Sequence, residues 1–192
     1  MGTQRLEAFS DGVIAVIITI TVLDLHLPKD SSLAALTQLT PLFLTYILSF
    51  IVVAIMWVNH HHMMHLAKHP TARVLWANNM LLFWMSLIPF TTSYMGMNHT
   101  KPLAVAVYGA VLTLSALSFT VLRHIVNQFH LDNSTLTLHN RRIVRKSTVT
   151  TLLYGLSIPM ACLSVWISFA IFVFIPASFF LPERKLTEHG GA

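Results

Sequence analysis

The sequence predicts an all-α integral membrane protein with six transmembrane helices, and three observations predict it. Of its 192 residues 55% are apolar and only 10% charged, with a mean hydropathy of +0.67, whereas a soluble domain carries about 25% charged residues. No Asp, Glu, Lys or Arg falls within 31–67, 74–100, 102–122 or 147–182, and each run is long enough for a spanning helix, which needs about 20 mostly apolar residues. The few basic residues are also distributed unevenly along the chain. So little sequence lies outside the apolar runs that no appended catalytic domain is expected, and residues 1–192 read as one membrane domain.

The first span is expected over 9–25, leaving the bilayer at Pro28 and the polar Lys29-Asp30-Ser31-Ser32 turn. Its apolar stretch follows Glu7 and Asp11 rather than a basic segment, which predicts a retained span and not a cleaved leader. The 31–67 run is too long for one straight crossing, so span two is placed at 41–63 behind a short amphipathic lead. Span three is expected over 74–95 with Pro89 inside it, and span four over 103–122, between Lys101-Pro102 and Arg123. The polar 124–146 segment reads as a loop with some interfacial helix. As one helix, 147–182 would reach about 54 Å at about 1.5 Å per residue, well beyond a hydrocarbon core of about 30 Å. Two spans, 148–163 and 166–181, are expected there, bent by Pro159 and Pro176.

Six crossings put both termini on one side. That side carries Arg5, Lys68, Arg73, Arg123, Arg141, Arg142, Arg145, Lys146, Arg184 and Lys185, and the other has Lys29 and Lys101. The asymmetry orients the termini to the cytoplasm and predicts a multi-pass protein of the cell membrane. The pI near 9.7 is thus a topology signal, supplemented by attraction to anionic lipid, and no nucleic-acid partner is expected. The lone Cys162 cannot form a disulfide within the chain.

In the first span, Val16, Thr19, Ile20 and Leu23 lie within about 60° of a common line at 100° per residue, and Phe9 and Gly12 continue it. Asp11 lies about 140° from Val16. An acid at membrane depth needs a partner, so Asp11 is expected to face neighbouring helices in a polar network. Periodicity alone makes the aliphatic stripe a packing surface first and a lumen lining second; Thr19 places one hydroxyl in its middle. Asp24 and Asp30 read first as solvated loop acids and second as a focus for cations.

The run from Arg5 to Thr19, with Phe9-Ser10-Asp11 at its centre, resembles the first-helix signature of the lysosomal and prokaryotic transmembrane potassium channel family. Trp57-Val58-Asn59-His60-His61-His62 is similar to the family's Trp-x-x-His-His block. Asn78-Asn79 through Ser86-Leu87-Ile88-Pro89-Phe90-Thr91 is similar to its third-helix block, and Pro182-Glu183-Arg184 fits its close. The resemblance covers most of the chain in order. It implies a six-helix subunit of a homotetramer, the first helix lining a central pore for potassium, with no resident cofactor. Carried over, the hydrophobic constriction falls on Val16, Ile20 and Leu23 and the pore-facing threonine on Thr19. The helix-holding network falls on Phe9, Ser10 and Asp11, with Arg5 nearby. Val16 departs from the commoner isoleucine or leucine, and a smaller side chain widens the ring. The chain lacks the Thr-Val-Gly-Tyr-Gly loop whose carbonyls replace hydration in ordinary potassium channels, so only a modest preference for potassium over sodium is expected, with gating by dewetting.

The eleven histidines carry the rival readings. His61 and His65 share a helical face, yet there is no His-Glu-x-x-His, no acid within the second span and no cysteine cluster to complete a zinc site, and no metal is expected. A network joining His60 or His61 to the Phe-Ser-Asp motif and Asn79 is preferred, because unpaired polar groups are costly away from water. Trp57, Trp76, Trp84 and Trp166 read as interface anchors and packing groups. The alternatives to a potassium leak channel are a proton-conducting channel and, from another class, a small membrane metal-binding protein or enzyme using the His60–His65 cluster.

Overall fold

The computed structural model describes residues 2–25, 28, 30–66, 71–128 and 134–180, with the side chains of 66 and 134–142 left aside. Lys29, Lys68, Pro182, Glu183, Arg184, Lys185 and the side chains of Arg141 and Arg142, all used in the topology or resemblance above, lie outside the described residues. Among the described residues every regular element is helical: α1 (Thr3–Leu23), α2 (Leu33–Gln38), α3 (Thr40–Leu66), α4 (Ala72–Ser86), α5 (Ile88–Met97), α6 (Pro102–Asn127), α7 (Ser134–Leu163) and α8 (Val165–Phe180). Among the described residues four segments are long and apolar enough to cross a membrane: Thr3–Leu23, Thr40–His65, Ala72–Met97 and Pro102–Asn127, with Val165–Phe180 a shorter apolar helix.

Local chemistry sets the boundaries. The expected lead before span two is α2, capped by the Ser32 hydroxyl, which accepts from the Ala35 amide at 3.2 Å. Proline stands in the first turn of α5 and α6, where its missing N–H costs nothing. Pro89 therefore interrupts the third crossing: α4 closes at Leu87, whose amide bonds back to the Trp84 carbonyl at 3.2 Å, and α5 starts afresh at Ile88. Most of the described part of 124–146 is helical, more than the loop with some interfacial helix that its polarity suggests. α6 continues to Asn127, and α7 begins at Ser134 and runs unbroken into the next apolar run. No Gly or Pro occurs in 134–154, so the backbone has no reason to break. The turn between the last two helices is the single residue Ser164, and Pro159 and Pro176 both lie inside their helices.

α6 is the centre of the packing, touching α3, α4, α5, α7 and α8. Tyr108 and Leu112 on it are fully buried, and Phe172 of α8 meets the Tyr108 ring edge-on at 5.1 Å. Small residues let the helices approach closely. A Cβ on Gly96 would stand 2.9 Å from the Leu42 Cα, so α5 and α3 meet backbone to backbone. A buried chain of hydroxyls crosses the same layer: Thr92 donates to Ser49 at 2.7 Å, and Ser49 bonds Tyr108 at 2.9 Å. α1 packs outside this core, against α3, α4 and α5.

Candidate functional site

α1 has two faces of opposite character. Leu6, Ser10, Ile14, Ile17 and Thr21 are buried, and their spacing of three and four residues draws one line down the helix. The other face is open. Phe9 and Val16 are each 53% exposed, Ile20 43% and Leu23 76%, and Gly12 and Thr19 are exposed with them. A Cβ built on Gly12 would meet nothing within 4 Å. The stripe read from the sequence thus touches little of its own chain. Thr19 donates its hydroxyl to the Val16 carbonyl at 2.9 Å, which satisfies the proton within the helix and leaves the oxygen lone pairs outward.

Polar contacts anchor the buried face. Ser10 donates to the Leu6 carbonyl at 2.8 Å and accepts from the Asn78 amide of α4 at 3.0 Å. The Asn78 carbonyl oxygen receives His60 Nε2 of α3 at 2.8 Å. With the amide oxygen turned to it, Nε2 is the nitrogen of His60 that donates. Ser10, Asn78 and His60 are all buried, so three helices are joined where no water competes.

Three further contacts join α1 to α3. The indole N–H of Trp57 donates to Asp11 at 2.8 Å, and the Trp57 ring stacks on His61 at 6.1 Å. His61 Nδ1 faces Glu7 at 2.8 Å, and His65 lies 3.0 Å from His61 Nε2 and 3.8 Å from Glu7. At the far end of α1 Ser93 of α5 donates to Asp24 at 3.2 Å, so the helix is tied at both ends.

The geometry sorts the expected network. Ser10, Asp11, His60 and His61 all face the α1–α3–α4 seam. Arg5 and Phe9 are exposed on other faces. Asn79 is a correction: it is exposed, and its neighbour Asn78 turns inward instead, because at 100° per residue the two cannot share a face. Trp57 is also more than a packing group, since it holds Asp11. Glu7 and Asn78 were not singled out in the sequence. Glu7 had a signal, four residues before Asp11 and so on the same face. The acid that the histidines lacked in sequence is supplied across the seam: ligand atoms of Glu7, His61 and His65 lie within 4.8 Å of one another and could hold a divalent ion.

The fold and this site define a class first: a polytopic helical membrane protein packed around α6, with one peripheral helix, α1, tied at both ends and open along an aliphatic stripe. The family model described as "Endosomal/lysosomal potassium channel TMEM175" matches residues 5–89. A potassium channel of Chryseobacterium sp. (strain P1-3) is 39% identical over 190 residues, covering 98% of this chain and 97% of that one. The crystal structure of a lysosomal potassium-selective channel TMEM175 homolog from Chamaesiphon minutus superposes with a TM-score of 0.82 at 27% identity, over 92% of this chain and 95% of that chain. The human endosomal/lysosomal proton channel TMEM175 is 38% identical over 81 residues, 35% of this chain and 16% of that protein. The chain belongs to the TMEM175 family, whose members are ion channels and not enzymes.

Proposed function

We propose that the chain is the subunit of a potassium-selective cation leak channel of the cell membrane. Four copies assemble with α1 of each around a central path, and Val16, Ile20 and Leu23 form its hydrophobic constriction. Residues 1–192 act as one domain with six crossings, α1, α3, α4–α5, α6, α7 and α8, and both termini in the cytoplasm. The permeant ion is potassium and no resident cofactor takes part. The observation that carries this reading is the open stripe on an otherwise anchored helix. Lipid would tolerate an aliphatic stripe equally well, but Gly12 and Thr19 on it suit a narrow, partly polar path better than a lipid seam.

The chemistry follows from the residues. Aliphatic rings offer an ion no ligands, so they pass it only when wetted and close by dewetting. Thr19, one turn from Val16 and beside Ile20, supplies oxygens where the path is least hospitable. Selectivity rests on the width and polarity of this ring alone, so it is modest. In proteoliposomes a potassium gradient should drive flux exceeding that of sodium, and Ile20→Asn should raise it by wetting the ring. A folded tetramer without potassium flux would sink the reading.

A proton pathway is the second reading, favoured by His60, whose Nδ1 is buried without a hydrogen-bond partner, and by the human relative's name. It requires flux that follows a pH gradient without potassium and falls in His60→Gln.

A further inference from the structure

The most anomalous charge in the molecule lies away from α1. Arg123, near the end of α6, is only 7% exposed, and its guanidinium sits 5.0 Å over the Phe119 ring while Nε has no hydrogen-bond partner. Among the described residues no carboxylate forms an ion pair with it; the ion pairs found join Glu7 to His61 and His65. A cation–π contact recovers only part of the hydration that a buried guanidinium loses. With no anion beside it among the described residues, this buried cation is a candidate for one from outside.

The space for it is present. Arg123 opens onto a cavity of about 60 Å³ between α3, α6, α7 and α8, with Asn59, Ser147 and Thr150 also in its wall. At about 10–15 Å³ per water-sized occupant, that space takes four or five heavy atoms, the size of one phosphate group. Lys146 stands beside it, its Nζ 4.0 Å over the ring of Phe179, another wall residue. By their order along α3, α6, α7 and α8, Asn59, Arg123 and Ser147 lie toward one end of the lining and Val52, Ala116, Tyr154 and Ile175 toward the other. In the orientation proposed above, the charged end faces the cytoplasmic membrane surface, where lipid phosphates lie.

We propose that this cavity binds the phosphodiester of an anionic phospholipid, with Arg123 as its charge partner and Ser147 and Thr150 as hydroxyl donors, while the acyl chains remain in the surrounding bilayer. By the orientation proposed above, the headgroup comes from the cytoplasmic leaflet, where basic crevices between helices meet anionic lipid. The site itself does not depend on conduction, and its test reads lipid and not flux.

The purified full chain is titrated in detergent with phosphatidylglycerol, phosphatidylcholine or inorganic phosphate, and followed by native mass spectrometry and thermal melting. Phosphatidylglycerol should stay bound at one molecule per chain and raise Tm by about 5 °C or more at roughly a hundredfold excess over Kd. Phosphatidylcholine, whose choline cancels the phosphate charge, should bind at least about tenfold more weakly, and inorganic phosphate alone should leave Tm unchanged. In Arg123→Met the bound lipid and the Tm shift should both disappear. Equal retention in wild type and Arg123→Met overturns the proposal, as does equal stabilisation by inorganic phosphate. Should Arg123→Met fail to fold, the wild-type arms still decide, since no preference for phosphatidylglycerol over phosphatidylcholine also overturns it.

Discussion

α1 and α6 are two apolar helices of similar hydropathy put to opposite uses. In the most apolar stretch of α6, 56% of residues are buried, against 28% in α1. α6 has neighbours on nearly every side, whereas α1 buries one line and leaves the facing stripe open. Hydropathy places a helix in the bilayer without saying what it touches there. Position in the bundle and the small polar residues decide that. α6 packs through Gly109, Ser115 and Ala116, while α1 is held by hydrogen bonds at Ser10, Asp11 and Asp24.

The contrast is sharpest for leucines. Leu112 in α6 is fully buried and Leu23 in α1 is 76% exposed. Leu112→Ala should destabilise the chain by about 2–5 kcal/mol through lost contacts and a cavity, read as a fall in Tm. Leu23→Ala should stay within about 0.5 kcal/mol and register in ion flux. An equal loss of stability in both variants breaks the comparison, because it would mean that the α1 stripe is core.

Glycines give the next largest separation. In Gly96→Val the new Cβ would lie 2.9 Å from backbone at Leu42, and separating α5 from α3 should cost about 1–3 kcal/mol. Gly12 meets nothing within 4 Å, so Gly12→Ala should stabilise α1 by about 0.5–1 kcal/mol. Melting curves of the two variants should move in opposite directions.

The adjacent asparagines separate by less. Asn78→Leu strands His60 Nε2 and Ser10, and interhelical hydrogen bonds in membranes contribute about 0.6–1.7 kcal/mol. Asn79→Leu removes an exposed amide and should be silent in the same melt. A larger loss at Asn79 would place the α1–α4 seam on the other face of α4.

The asparagines also mark how far the sequence could be read. The crossings were legible because a stretch of about 20 residues without charge rarely arises except in a membrane span, and the stripe was legible because its members recur with the helical period. Asn78 was not distinguished from Asn79, since a helix apolar on every side has no periodic contrast to show which face turns inward. The start of α7 was hidden for the opposite reason: residues 134–146 are polar like a loop, yet contain nothing that breaks a helix. The pairing of Glu7 with His61 joins positions 54 residues apart, and only the packing of α1 on α3 brings them together. The inward face of Asp11 could be derived, because its angle to the stripe needed no knowledge of the partner; its partner Trp57 could not.

Thr19→Val is the smallest change for the fold and the one that best isolates the open face. Valine has nearly the same shape as threonine, and the lost hydrogen bond runs to the Val16 carbonyl one turn below, an acceptor already engaged in the helix ladder. Thr19 lies on the exposed face, so no buried partner is stranded, and Tm should move by less than about 0.5 kcal/mol in equivalent stability. Conduction should respond because the oxygen lone pairs leave the middle of an aliphatic stripe. In the proposed pore, a ring of valine, isoleucine and leucine without that oxygen wets less readily, so potassium flux in proteoliposomes should fall while the protein stays folded. Unchanged flux in Thr19→Val, with Ile20→Asn still altering it, would assign the path to the aliphatic ring alone and leave Thr19 as a helix residue that happens to share its face.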